Sequence, residues 1–359
     1  PVILNIVLII AAGWIAPSAN NPGLVLAIAV FIAGFLQLLF LLPFVQRIGQ
    51  LPNPKWGWQD SGVRKIIKLM IPSIVGSSAA QVNLLFNTLI ASFLAAGSIS
   101  WIYYSDRLLE FPVGVFGVAL STVVLPNLSS KSAGQNQAQF RSIVQWGIRI
   151  AFLVSVPAAT GLYILSGPLI ATIFLGGNFN IHDLYMTQYS LMAYAFGLIG
   201  LSMVLILASA YYAKQNTKTP VKFGLIAMAT NASLSILFVT TLVLTNSPYP
   251  HMGLSLAFSC STLLNAFLLF RGLIRERQIK VDREEVAFLI RIVVATGAMV
   301  MLLVIFNPEL SVWLEQSLAE RITHLMRLIP SAVLVYVLAL FCLGIRARDI
   351  RVQTNPEPL

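Results

Sequence analysis

Apolar runs of roughly twenty residues, broken only by short charged or turn-forming stretches, recur from one end of this chain to the other. That pattern constrains its fold more than any motif. A helix needs about 20 mostly apolar residues to cross a bilayer. Ten runs reach or approach that length, at about 1–16, 23–46, 66–95, 101–128, 141–165, 184–213, 220–245, 251–273, 285–306 and 325–345. Charged residues make up only 10% of the chain and hydrophobic residues 57%. A soluble domain carries about 25% charge to clothe its surface, so water is excluded as the solvent for most of the 359 residues. The expectation is an all-α integral membrane protein of about ten transmembrane helices. Pro72, Pro112 and Pro157 fall inside runs, where a bundle tolerates kinks because neighbours re-satisfy the freed carbonyls.

The basic residues are sorted by loop. All but three of the 23 Lys and Arg residues fall in or beside alternate connections: Arg47–Lys68, Lys131–Arg149, Lys214–Lys222, Arg271–Arg291 and Arg346–Arg351. The exceptions are Arg107, Arg321 and Arg327. By the positive-inside rule the basic face is cytoplasmic. The same distribution accounts for the net charge of +10 without nucleic acid, because the bases spread over one membrane face and form no patch. Cys260 and Cys342 stand far apart in apolar runs and read as isolated thiols. The opening Pro1-Val2-Ile3-Leu4 runs apolar to Ile15 without a basic leader, so it reads as a helix entered partway and not as a signal peptide. The expectation is a fragment of a longer protein, with an even number of spans before it.

The most informative stretch is Ser100-Trp-Ile-Tyr-Tyr-Ser-Asp-Arg-Leu-Leu-Glu-Phe-Pro112. Asp106, Arg107 and Glu110 sit between two segments free of charge, Met70–Ser105 and Phe111–Ser130. On a helix, Arg107 and Glu110 are three apart and Asp106 and Glu110 four apart, so they share a face. Pro112 lacks an N–H and frees the carbonyl of Leu108 beside them. Two readings compete. The charges, with Trp101, Tyr103 and Tyr104, can be an interfacial anchor in an aromatic belt. Alternatively, they line a water-filled cavity, the usual place for an intramembrane Arg that costs about 2.5–3.5 kcal/mol to insert. Two acids, which gain nothing from anionic headgroups, favour the cavity.

Other polar residues say less. Gln81, Asn83 and Asn87 lie on the preceding helix, with Asn83 and Asn87 on one face. Such amides serve equally as cavity lining or as hydrogen-bonding glue between helices; Asn231 and Asn265 read as glue. His182, His251 and His324 lack metal-ligand spacing, so neither metal nor cofactor is expected.

The segment Ser98-Ile-Ser-Trp-Ile-Tyr-Tyr-Ser-Asp-Arg-Leu-Leu-Glu-Phe-Pro-Val-Gly-Val-Phe-Gly-Val-Ala-Leu-Ser-Thr-Val-Val-Leu-Pro126 resembles the most characteristic part of the MurJ/MviN flippases. Leu165-Ser-Gly-Pro-Leu169, Ala213-Lys-Gln-Asn-Thr-Lys-Thr-Pro-Val-Lys222 and Gln81–Leu94 are similar to the same family, in order along the chain. The resemblance implies part of a multidrug/oligosaccharidyl-lipid/polysaccharide (MOP) exporter fold, with four upstream spans absent. Residues 1–50 would close an amino-terminal lobe and 51–65 form a cytoplasmic linker. Residues 66–275 would make a six-helix carboxy-terminal lobe, 284–346 an accessory pair forming a hydrophobic groove, and 347–359 a cytoplasmic tail.

It also implies a transporter: lipid II, the undecaprenyl-pyrophosphate-linked peptidoglycan precursor, would cross a bacterial inner membrane by alternating access. The family's cavity Arg and Glu match Arg107 and Glu110, and a guanidinium fork suits pyrophosphate. The candidate substrate-binding residues are therefore Arg107, Glu110, Asp106, Asn87 and Asn83. Some members carry a cavity Lys where this chain has Leu205. Expected partners are lipid II and membrane lipids, with no nucleic acid; a monomer is expected, and other cell-wall synthesis proteins are candidate associates. Membrane potential and a monovalent cation, Na⁺ or H⁺, both stay open as the energy source. The alternatives are a sibling MOP exporter of other polyprenyl-linked sugars or drugs, a membrane enzyme acting on polyprenyl phosphates, and a scaffold without transport activity. The enzyme would need clustered acids or a His constellation at a membrane face.

Overall fold

The computed structural model describes residues 2–49, 57, 60–118, 137–279 and 282–346. In chain order its helices are α1 (Val2–Ile10, prolonged by a π turn Ala11–Ile15 and a 3-10 turn Ala16–Ser18), α2 (Pro22–Arg47), α3 (Ser61–Ser92) and α4 (Ser98–Pro112, prolonged by a π turn Val113–Val118). There follow α5 (Gln137–Ile164), α6 (Ser166–Ile173), α7 (Ile181–Ala213), α8 (Lys218–Leu244) and α9 (Met252–Arg275). The last three are α10 (Arg283–Phe306), α11 (Leu310–Glu315) and α12 (Leu318–Cys342). No strand occurs among the described residues.

Each of the ten apolar runs lies on a helix, the fourth as far as Val118. Seven of the helices, α2, α5, α7, α8, α9, α10 and α12, are long and apolar enough to cross a membrane, and α1 with its π and 3-10 turns is a shorter apolar helix. The chain is an all-helical integral membrane protein. Most of the linker expected at 51–65, the tail at 347–359, and Lys55, Lys131 and Lys280 lie outside the described residues.

Local chemistry sets the helix ends. Asn21 caps α2, its side chain accepting from the Leu24 N–H at 3.2 Å, and Pro22 follows at the first position. Reciprocal capping boxes open α7 (Asn180 with Asp183) and α12 (Ser317 with Glu320). Three successive helices close the same way. Gln215, Asn246 and Arg277 take left-handed φ values of 58°, 52° and 54° just past α7, α8 and α9. The next N–H of each turn reaches back to Tyr211, Leu242 and Leu273. These are Schellman closures made without glycine, and of the three only Asn246 is of a residue type favoured there. Proline acts unevenly: α5 continues through Pro157, whereas α4 passes at Pro112 into a π turn, where the missing N–H would have broken the α ladder.

The chain divides into two units, Pro1–Ile71 and Pro72–Leu359, the division falling inside α3. In the first, α1 packs on α2, and the buried residues of the pair are Ala11, Ala16, Ala29 and Ala33. Small residues let helices approach where lipid offers no hydrophobic drive to associate.

In the second unit α7 is the central helix, packed by α4, α5, α6 and α9 and buried on most of its length. Gly197 and Gly200 let the backbone of α9 come close: a Cβ on Gly200 would lie 2.7 Å from the Leu263 nitrogen and 2.8 Å from the Thr262 carbonyl carbon. Side-chain hydroxyls then bond to carbonyls across helices: Ser105 to Thr187 at 2.9 Å, Ser259 to Ala193 at 2.7 Å and Tyr336 to Leu153 at 2.7 Å. In a membrane each such bond is worth about 0.6 kcal/mol. The α10–α12 pair packs around Ile292, Ala295, Trp313, Leu328 and Tyr336, and α10 also packs on α5.

Candidate functional site

Helix α4 is divided lengthwise. Ser98, Trp101, Ser105 and Leu109 are buried, at the three- and four-residue spacing of one helical stripe. Tyr103, Arg107, Glu110 and Phe111 are exposed on the other side. The buried stripe ties α4 to α7. Trp101 Nε1 donates to Asp183 Oδ1 at 2.7 Å, the Ser105 hydroxyl sits between the Trp101 and Thr187 carbonyls, and Leu109 packs among Ala159, Leu162, Tyr194 and Leu198. Asp183 also belongs to the α7 capping box. One carboxylate therefore fixes both the start of α7 and the entry of α4.

With one face tied down, the other holds its charges in a defined array. Arg107 Nη1 donates to Glu110 Oε2 at 2.6 Å, and Arg107 Nη2 lies 3.7 Å from Asp106 Oδ2. The guanidinium stands 4.9 Å from the centre of the Tyr103 ring, within cation–π range. The side chains of Arg107 and Glu110 are 48% and 54% exposed. Arg107 thus lies beside two carboxylates and is hydrogen-bonded to one of them, in an exposed ion pair of the kind worth under about 1 kcal/mol.

The interfacial-belt reading of the aromatics fails at Trp101. Trp101 is 4% exposed and packs against His182 and His251, with ring centres 5.6 Å and 5.0 Å away. Tyr104 packs on Phe174 and Phe179. These rings are interior packing, and only Tyr103 of the three is exposed. The two histidines carry no spacing signal because they reach Trp101 from the first turn of α7 and the residue before α9, some 80 and 150 residues away. His251 in turn bonds the Met186 carbonyl at 2.9 Å. Among the described residues there is no His, Cys, Asp or Glu group able to hold a metal.

The amides form a separate cluster. Asn231 Nδ2 donates to Asn83 Oδ1 at 2.7 Å and to Asn87 Oδ1 at 3.1 Å, and the Ser235 hydroxyl donates to Asn87 at 3.3 Å. Asn83 and Asn87 thus engage α8 as interhelical partners, and neither shares a bond with the Arg107 group. At the far end of the π turn, Gly117 lies against Leu205: a Cβ there would come within 2.6 Å of Leu205 Cδ1. The position where a Lys stands in some flippases is therefore apolar and packed.

Seven helices long and apolar enough to cross a membrane, with a charged, exposed face on α4, define a multi-span integral membrane protein. In fold the chain is similar to a solved structure described as lipid II flippase MurJ, inward closed conformation (TM-score 0.71, 22% identity, 95% of this chain and 65% of that one). It is also similar to an outward-facing multidrug resistance MATE family transporter of the MOP superfamily (TM-score 0.52, 12% identity, 78% and 64% covered). The family described as lipid II flippase MurJ matches residues 1–323, and the chain belongs to that family, one of transporters and not enzymes. It is 44% identical over 356 residues to the probable lipid II flippase MurJ of Haemophilus influenzae, covering 98% of this chain and 68% of the relative. To that of Vibrio cholerae it is 41% identical over 355 residues, covering 99% and 66%. The chain thus spans about two thirds of the length of these relatives.

Proposed function

We propose that this chain is the part of a lipid II flippase that carries one wall of the substrate cavity, with Arg107 as the residue that meets the pyrophosphate. The observation that carries the reading is the 2.6 Å Arg107–Glu110 pair, set on the exposed stripe of a helix whose opposite stripe is pinned to α7. A pyrophosphate offers paired oxygens to the guanidinium fork and more charge than one carboxylate. Glu110, with Asp106 behind it, holds the fork in place when no substrate is present and yields it when one arrives. The cargo is the undecaprenyl-pyrophosphate-linked peptidoglycan precursor, moved from the inner to the outer leaflet of the bacterial cytoplasmic membrane by alternating access. The basic loops face the cytoplasm, as their clustering on alternate connections supports.

The test is complementation of cells depleted of their flippase, using the full-length protein. Arg107→Ala abolishes growth rescue. Arg107→Lys keeps the charge, loses the fork and rescues partially. Both variants reach the membrane at near-normal levels. Full rescue by Arg107→Ala would remove Arg107 from the substrate path.

A further inference from the structure

The three charged residues of α4 do not share one environment. The side chains of Arg107 and Glu110 are 48% and 54% exposed, that of Asp106 only 33%. Asp106 lies on the stripe Ile102, Asp106, Leu109, Val113, at the three- and four-residue spacing of one helix face. Ile102, Leu109 and Val113 all pack in the cluster that holds Tyr194 and Leu198 of α7 and Phe258 of α9. A carboxylate thus stands in the middle of an apolar stripe, with the Tyr194 phenol within electrostatic reach.

Behind it runs a line of hydroxyls. Thr187, Ser190 and Tyr194 follow one another along α7 at helical spacing. Ser255 of α9 stands beside the Tyr194 phenol without closing a bond of good geometry. Thr187, Ser190 and Ser255 are wholly buried, and their hydroxyl oxygens have no hydrogen-bond partner among the described residues. The Tyr194 ring is 5% exposed and is held edge-on to Phe258 at 5.3 Å. Buried hydroxyls are costly to leave unpaired. A polar recess lined by several of them is where a protein retains water, and such water bridges groups too far apart to bond directly.

The same recess accounts for the stance of Asp106. Its Oδ2 is 3.7 Å from Arg107 Nη2, whereas Glu110 closes to 2.6 Å on Nη1. Asp106 adjoins the arginine in sequence and yet stands back from it. We propose that Tyr194 is a positioning residue: with Ser255 it binds water that holds Asp106 from its buried side and keeps that carboxylate off Arg107. Only Glu110 then has to yield when an anion arrives. Without the phenol, Asp106 closes on the guanidinium, and the anion must displace two carboxylates. The proposal rests on the reading of Arg107 as the pyrophosphate contact.

A double-mutant cycle on purified full-length protein tests it, with undecaprenyl pyrophosphate as the probe. Tyr194→Phe keeps the ring in its packing and weakens binding about fivefold, the worth of one hydrogen bond. Asp106→Asn binds at least as tightly as the wild type, and adding Tyr194→Phe to it causes no further loss. Ser255→Ala follows Tyr194→Phe with a smaller loss. A packing defect at Tyr194 would weaken the double variant as well, so a fivefold loss that persists there would overturn the proposal. Wild-type affinity in Tyr194→Phe would overturn it too. The same cycle read by melting temperature without ligand separates this link from the role of Arg107. Tyr194→Phe lowers the melting temperature less when residue 106 is Asn, and equal shifts in both backgrounds would overturn the positioning whatever Arg107 binds. Coupled melting shifts together with unchanged affinity in Arg107→Ala would uphold the Tyr194–Asp106 link and overturn the pyrophosphate reading alone.

Discussion

Two arginine–glutamate pairs in this molecule have similar N–O distances and differ in burial, geometry and separation along the chain. Arg107 and Glu110 are neighbours on one helix, meet through a single 2.6 Å contact and are about half exposed. Arg149 and Glu285 come from α5 and α10, 136 residues apart, and form a two-pronged bridge at 2.8 and 2.9 Å with side chains 27% and 19% exposed. The second pair lines a cavity of about 380 Å³ whose walls are otherwise mostly apolar. Arg149 also stands over the Phe288 ring at 5.4 Å. The same two side chains thus build a two-pronged joint between helices in one place and an exposed contact within one helix in the other. Burial, partner geometry and chain separation decide which.

The comparison breaks first at the joint. Arg149→Ala leaves Glu285 partly buried without its partner, a loss on the order of 3 kcal/mol. The melting temperature in detergent should fall by several degrees, while Arg107→Ala, which removes an exposed pair, costs under about 1 kcal/mol. Equal melting temperatures for the two variants would erase the distinction.

Charge reversal sharpens it. The double variant Arg149→Glu with Glu285→Arg should recover part of the stability that either single change loses, because a joint asks only for complementary charge. Arg107→Glu with Glu110→Arg should fold normally and fail to complement, because the fork then sits one turn away from where the substrate meets it. Complementation by that double variant would show that position along α4 does not matter.

A smaller effect is expected at Trp101, which holds the exposed stripe in place from behind. Trp101→Phe keeps the ring and loses the Nε1 bond to Asp183, worth about 1.5 kcal/mol for a bond to a charged acceptor. Partial complementation at 37 °C with near-normal protein levels would fit that role. Full loss of the protein from the membrane would make Trp101 purely structural.

The span pattern was legible because lipid imposes a run length on every crossing helix. The Asp106–Glu110 cluster stood out because charge is conspicuous between uncharged segments. What could not be read were contacts made at a distance. Trp101, with two tyrosines nearby, looks like a belt residue until Asp183, His182 and His251 close around it. Arg149 counts by sequence among the loop bases, yet α5 begins at Gln137 and carries it well inside the helix, where Glu285 meets it. Arg321 appears as a stray base at a loop, yet it serves three carbonyls on two other helical segments. Asn83 and Asn87 announced a shared face, but only the position of Asn231 shows what that face meets.

On the proposed function, the exposed pair on α4 is where pyrophosphate replaces a carboxylate on Arg107. Binding of undecaprenyl pyrophosphate to the purified full-length protein tests it most directly, with wild type, Arg107→Ala, Arg107→Lys and Arg149→Ala compared below the melting temperature of each. Arg107→Ala should lose tenfold or more in affinity, corresponding to about 1.4 kcal/mol, Arg107→Lys less, and Arg149→Ala none. Unchanged affinity in Arg107→Ala, or an equal loss in Arg149→Ala, would contradict it.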